Sequence, residues 1–338
     1  MTKPAVLLID SVAHVQREWE DCAEFATLKV FKGRTRQEFL KAIQDGTYDD
    51  VVALYRSNES TNLTGPFDEE VVGKLPKSLR YICHNGAGYD NIDVSACTAK
   101  GIQVSNTPIA VNAATADIAL FLMLGALRRI HKPYSSIRNS QWRGTSFQLG
   151  YDPQGKVLGI LGMGGIGREV ASRARAFGMK IQYHNRNRLS SDLEKDAKYV
   201  SFDELIATSN VLSLNCSLRK ETIGIIGKRE FEKMKDGVII INTARGKLID
   251  ENALVAALDS GKVFSAGLDV YEEEPKVHEG LLNNPNVVLL PHIGTATKET
   301  QRNMELLVLE NLRGAVVNGS LVTQVPEQLS ANIFWPKL

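Results

Sequence analysis

The sequence predicts an α/β protein of two doubly wound parallel-sheet domains. Short apolar runs rich in β-branched residues recur along the chain and are separated by helix-length amphipathic stretches, the alternation expected of buried parallel strands joined by crossover helices. The 338 residues, at about 150 per domain, are enough for roughly two cores.

The first series of runs places strands at 6–9, 28–31, 51–54, 81–83 and 103–105, enough for one small sheet. The apolar stretch 113–127 follows. It is short of the roughly twenty residues needed to span a bilayer and is interrupted by Asp117, so it reads as a buried helix. A polar arm over 139–152 carries Trp142, Phe147 and Tyr151. The second series places strands at 157–161, 180–184, 211–215, 238–242, 265–270 and 287–290, with spacings that suit a strand plus its crossover helix. Ser201 with Glu204 three residues on reads as a capping box, and Asp236-Gly237 as a turn. A last helix from about Thr297 aligns Met304, Leu307, Val308 and Leu312, stops near Gly319, and should pack on the first sheet or the junction.

Composition excludes several classes of function. Lys plus Arg number 40 against 39 Asp plus Glu, so no global field draws the chain to nucleic acid or an anionic membrane. Hydrophobic residues at 43% and charged residues at 23% describe a globular chain, not a disordered one. Cys22, Cys83, Cys97 and Cys216 form no CxxC pair, and no His stands at zinc-finger spacing. Reduced thiols, no metal and a cytoplasmic location are therefore expected. The first ten residues, MTKPAVLLID, do not read as a signal or transit peptide. The terminal Pro336-Lys337-Leu338 is similar to a peroxisomal address, with proline in place of its small first residue.

The segment KVLGILGMGGIGREV sets Gly162-x-Gly164-x-x-Gly167, with Met163, Gly165 and Ile166 between, directly after an apolar strand and at the head of a helix. In that context the first glycine permits the tight turn, the second lets backbone N–H groups approach a pyrophosphate, and the third lets helix and strand pack closely. The helix N-terminus then favours the anion. A dinucleotide site that prefers NAD places Asp or Glu at the end of the next strand. Here that position reads Tyr183-His184-Asn185-Arg186-Asn187-Arg188. Asn185, Arg186 and Arg188 are neutral and cationic donors that suit a 2′-phosphate. NADP(H) is the preferred cofactor on this reading and NAD(H) the alternative, with the two arginines then solvated.

Three further segments lie at the carboxyl ends of strands, where open α/β sheets bind ligands: Asn242-Thr243-Ala244-Arg245-Gly246, Gly267-Leu268-Asp269-Val270-Tyr271-Glu272-Glu273-Glu274-Pro275 and Pro291-His292-Ile293-Gly294. Together with HNGAGYDNID, NAATAD, LGMGGIG, INTARGKLID and PHIGTAT in order, they make the chain resemble the D-isomer-specific 2-hydroxyacid dehydrogenases over about residues 5–322. Within that family it is most similar to glyoxylate/hydroxypyruvate reductases of the fungal type.

The resemblance implies a flavodoxin-like substrate-binding domain (1–106 and 295–338), a Rossmann cofactor domain (107–294), an active site in the cleft between them and a homodimer built on the cofactor domains. It implies that Arg245 grips the carboxylate and carbonyl of a 2-oxo acid, that His292 is the general acid/base, and that a carboxylate in the EEEP segment orients it. Register favours Glu274 over Glu272 and Glu273. Asp269, Thr115, Thr243 and the Ala244 backbone would hold the nicotinamide end, with Asp269 as a turn residue the alternative, and Cys216 would line the cofactor site. The N–H groups of Ala87 and Gly88 would be the second anchor for the substrate carboxylate. Arg56 would add charge or form a surface ion pair. His14, His84, His131, His184 and His278 read as structural or solvent-facing. The rival readings are an NAD-dependent dehydrogenase of another 2-hydroxy acid and a non-catalytic dinucleotide-sensing scaffold, since corepressors of the C-terminal-binding-protein type resemble this fold.

Overall fold

The computed structural model describes residues 3–143, 148–331 and 333. Two compact units form: one runs to Val111 and resumes at Thr297, and the other is Asn112–Ala296. Both boundaries fall a few residues later than expected. Past the last strand of the first unit the chain still bonds back to that unit, with Asn106 N donating to Thr323 O and Thr107 N to Gly86 O. Phe147 and the terminal tripeptide 336–338 lie outside the described residues.

The first unit holds β1 (Ala5–Leu8), β2 (Thr27–Val30), β3 (Val51–Ser57), β4 (Tyr81–Asn85) and β5 (Gln103–Ser105), parallel throughout in the order β2-β1-β3-β4-β5. These are the five strands expected. The residues of β1 and β3 are buried on both faces, which is why they read as unbroken apolar runs rather than alternating ones. The helix Lys298–Arg313 sets Val308, Leu309 and Leu312 into a core with Val52, Tyr55 and Tyr81 of this sheet. Thr297 caps its start by accepting from Thr300 N, and it ends in a π turn before Gly319, whose φ is 74°. The segment beyond covers the open edge at β5: Gln324 bridges Ser105 antiparallel, Val325 N donates to Val104 O, and the Gln328 side chain accepts from Val104 N.

Arg56 departs from expectation. It is not a surface residue, and among the described residues no carboxylate pairs with it: it is 0% exposed, donates to Asn91 Oδ1 and Thr61 Oγ1, and lies over the Phe67 ring. Burial pushes its pKa down to about 10.

The second unit opens with α1 (Asn112–Leu127) and α2 (His131–Arg138), then β6 (Val157–Leu161), α3 (Gly165–Ala176), β7 (Lys180–His184), β8 (Lys198–Tyr199), β9 (Val211–Leu214), β10 (Val238–Asn242), β11 (Val263–Leu268) and β12 (Val287–Leu289). The order is β12-β11-β10-β9-β6-β7-β8, all parallel. β8 went unread because two residues carry no period. β11 stops at Leu268, earlier than expected, and the Asp269 side chain just beyond it bonds the backbone at 293–294. The 113–127 run is the buried helix expected, and its interruption, Asp117, faces out to pair with Arg173. Ser201 caps its helix by accepting from Glu204 N, while the Glu204 carboxylate goes to Lys198, so only half of the capping box forms. Among the described residues no helix is long and apolar enough to cross a membrane.

Leu122, fully buried in α1 against this sheet, supplies a direct test of the packing. Leu122→Ala should lower the stability of the unit by about 2–5 kcal/mol, measured as a fall in the urea midpoint of its unfolding transition.

Candidate active site

With all seven strands of the second unit parallel, their carboxyl ends share one edge of the sheet. The glycine loop follows β6, Asn185 follows β7, Cys216 follows β9, Thr243 to Arg245 follow β10, Asp269 follows β11 and His292 follows β12. Chain order reverses between β6 and β9, the switch point at which such sheets bind nucleotides.

The turn at that point requires glycine. Gly162 has φ 97°, and a Cβ on it would lie 2.5 Å from Cys216 N. Gly167, in the first turn of α3, has no room for one either, because the Gly162 carbonyl is 2.4 Å from where it would sit. Around Gly164, by contrast, the space is open. Met163 N donates to Asn185 Oδ1 at 2.6 Å, so the residue at the end of β7 also braces the loop. A groove of about 620 Å³ runs from Gly162 and Gly164 past Asn185, Arg186, Asn187 and Cys216 to Arg219. Burial pushes the Cys216 thiol up to about 11, so at neutral pH it lines the groove as an uncharged group. Arg188 does not line the groove. Its Nε and one terminal nitrogen lie on the buried Glu194 carboxylate at 3.0 and 2.9 Å, and Tyr183 Oη donates to the same carboxylate.

At the other end of the edge, His292 Nδ1 and Glu274 Oε2 are 2.7 Å apart. Neither Glu272 nor Glu273 takes that place: Glu272 N donates to Glu251, and the Glu273 side chain pairs with Lys276. Tyr271 N donates to the second oxygen of Glu274, and Tyr271 Oη donates to Leu290 O, tying the EEEP loop to the end of β12. The Glu274 hydrogen bond raises the His292 pKa against the opposing effects of burial and of the Arg245 charge. Burial alone would raise the Glu274 pKa, but the His292 bond, the Tyr271 N–H and the nearby Arg245 charge outweigh it and hold the carboxyl low. Arg245 is brought here by Gly246, which packs directly on the Tyr271 carbonyl: a Cβ would lie 2.0 Å from that oxygen.

Asp269 is 1% exposed and accepts from Ile293 N and Gly294 N, one with each oxygen, both at 2.8 Å. It thereby holds the loop in which His292 adopts φ 55°. Thr115 borders the same spot, since a Cβ on Gly294 would lie 3.2 Å from Asp269 and 3.3 Å from Thr115. Among the described residues, the buried hydroxyl of Thr243 and the side-chain oxygen of Asn215 have no hydrogen-bond partner. Unmatched polar atoms along this edge, the open space at Gly164 and the length of the groove fit a dinucleotide.

In the first unit, Ala87 and Gly88 sit in the loop after β4. Among the described residues, neither of their N–H groups donates to a protein acceptor.

A family model described as D-isomer specific 2-hydroxyacid dehydrogenase, NAD binding domain, matches residues 120–294. The chain belongs to that family. It is 65% identical over 98% of its length to the whole of the 4-methyl-2-oxopentanoate reductase A of Aspergillus oryzae. A crystal structure of a glyoxylate reductase from Paecilomyes thermophila superposes with a TM-score of 0.96 at 63% identity, covering 97% of this chain and 100% of that one. The NADPH-dependent glyoxylate/hydroxypyruvate reductase of Sinorhizobium meliloti, solved with NADP and malonate, superposes at 0.85 with 29% identity and full coverage of both chains. The protein is thus an oxidoreductase of the 2-hydroxyacid dehydrogenase family, with a Rossmann NAD(P)-binding unit and a second parallel α/β unit.

Sequence reasoning missed Arg219 and Ser217 in the groove, Glu194 beneath Arg188, and Glu251 and Tyr271 behind the EEEP loop. A buried carboxylate flanked by an arginine is visible only once the fold pairs them. The His292 environment generates a prediction with a definite sign. A reduction that takes its proton from this imidazole falls in rate as pH rises through the raised pKa. Glu274→Gln removes the charge that raises it, and the fall in kcat/KM should move to lower pH.

Proposed function

We propose that the protein reduces glyoxylate or hydroxypyruvate to the D-2-hydroxy acid and prefers NADP(H) to NAD(H). One observation carries the reaction type: the hydrogen-bonded pair of Glu274 and His292, with the Arg245 charge beside it, stands on the same sheet edge as the dinucleotide groove. The nicotinamide, when bound, supplies the hydride. Because Glu274 holds Nδ1, the proton delivered to the carbonyl oxygen comes from Nε2 of His292, and in the oxidation direction Nε2 takes it back. Arg245 grips the substrate carboxylate and polarises its carbonyl with a planar fork of donors that a lysine could not match. The Ala87 and Gly88 N–H groups form the second carboxylate anchor. Thr115, Thr243, Ala244 and Asp269 border the nicotinamide end, and Met163, Gly165 and Ile166 shape the loop under the pyrophosphate.

The NADP(H) preference is supported by Asn185, where an NAD site has an acid, and by Arg186 in the groove; Arg188 is left out of it. The NADP complex of the Sinorhizobium meliloti enzyme supports the same preference. A second reading, 4-methyl-2-oxopentanoate as substrate, is favoured by the name of the Aspergillus oryzae relative. Initial rates of NADPH and NADH oxidation with the three 2-oxo acids separate these readings, and no turnover with any of them would favour a sensing scaffold. His292→Ala should slow reduction by about 10²–10⁴ with cofactor affinity unchanged, whereas Asn185→Asp with Arg186→Ala should move selectivity toward NADH.

We further propose a homodimer built on the second unit; in support, Phe121 of α1, Tyr134 and Ile137 of α2, and Trp142, 77% exposed on the arm, are large apolar side chains left exposed. Sedimentation at micromolar concentration should find a mass near twice that of the chain, and a monomer would exclude it. The cytoplasmic location is supported by four free thiols; fluorescence imaging of a chain with its C-terminus left native would separate it from the peroxisome.

A further inference from the structure

Three consecutive carbonyls in the loop after β4 are each held from the protein side. Thr107 N donates to Gly86 O at 3.0 Å, Asn106 Nδ2 donates to Ala87 O at 2.7 Å, and His84 Nε2 lies 3.1 Å from Gly88 O. In a trans peptide the carbonyl of one residue and the N–H of the next point in opposite directions, and these peptides are trans. Holding Gly86 O therefore aims the Ala87 N–H away from the protein interior, and holding Ala87 O does the same for the Gly88 N–H. These two N–H groups lack protein acceptors among the described residues. Gly86 cannot carry a side chain here, since a Cβ would lie 2.6 Å from His84 Nε2.

We propose that Asn106 is a positioning residue for the substrate carboxylate: its amide fixes the Ala87 carbonyl and so presents the Gly88 N–H. The inference rests on the reading of Ala87 and Gly88 as carboxylate anchor. Asn106 is itself held by a relay. Its N–H donates to Thr323 O, and its carbonyl accepts from Thr323 Oγ1 at 2.6 Å. Thr323 N in turn donates to Asn311 Oδ1 at 2.9 Å, and Asn311 Nδ2 donates to Thr323 Oγ1 at 2.9 Å. Asn311 is fully buried in the helix Lys298–Arg313. The last quarter of the chain thus sets the orientation of one peptide near its first quarter, through the Asn106 amide.

The two N–H groups depend on different donors, and this makes the test specific. Asn106→Leu removes the side-chain donor but leaves the Thr107 backbone N–H in place. With 15N-labelled protein saturated with NADPH, oxamate as an unreactive 2-oxo-acid analogue should shift both amide signals in the wild type. In Asn106→Leu the Gly88 shift should be lost and the Ala87 shift kept, with KM for glyoxylate raised about tenfold and the Kd for NADPH unchanged. Asn106→Ala, read the same way, covers a failure of the leucine variant to fold. Equal Gly88 shifts in wild type and variant would overturn the role of Asn106 and leave the anchor standing. No shift of either amide in the wild type would overturn the anchor reading and this inference with it.

Discussion

The active-site edge depends on one carboxylate, that of Asp269. Its two oxygens take the N–H groups of Ile293 and Gly294 and so hold His292 in the left-handed backbone region. That conformation costs a non-glycine residue roughly 1–2 kcal/mol, and each hydrogen bond to a charged group contributes about 1.5–3 kcal/mol, so the clamp outweighs the strain. Burial raises the Asp269 pKa, while the two backbone bonds pull it down. The His292 imidazole therefore stands on a loop that a buried carboxylate clamps through its backbone. Glu274 acts on the side chain of the same residue, and Asp269 on its backbone.

Fixed backbone groups recur at both loops proposed to hold an anion. In the second unit, Gly162 turns the chain and Met163 N is taken by Asn185, which leaves the approach to Gly164 clear. In the first unit, three carbonyls are tied back so that the opposing N–H groups are presented. Donors oriented in advance need no reorganisation when negative charge arrives, which is the condition under which they contribute most. Local charge is arranged as closely: Arg188 pairs with Glu194, while Arg186 lines the groove.

The parts legible from sequence are those whose cause is local. The paired strand series, the buried helix over 113–127, the last helix from about Thr297 and the glycine loop follow from periodicity and turn chemistry among contiguous residues, and the structure has them where they were expected. The Glu274–His292 pair was legible through family resemblance, not through spacing. Arg56 was misread because a charged residue at a strand end is usually solvated, and nothing nearby in sequence announces the Asn91, Thr61 and Phe67 that enclose it.

Sequence by itself determined the two α/β units, the order of their strands along the chain and the residue types at each strand end. Tertiary structure alone decided which of those residues meet: Arg188 with Glu194 rather than the groove, Glu272 with Glu251, Asn106 with Ala87, and Asn311 with Thr323. The reason is physical. Helix and strand formation are governed by neighbours within a turn or a pleat, whereas a side-chain hydrogen bond forms only where packing of the whole unit brings donor and acceptor within about 3 Å.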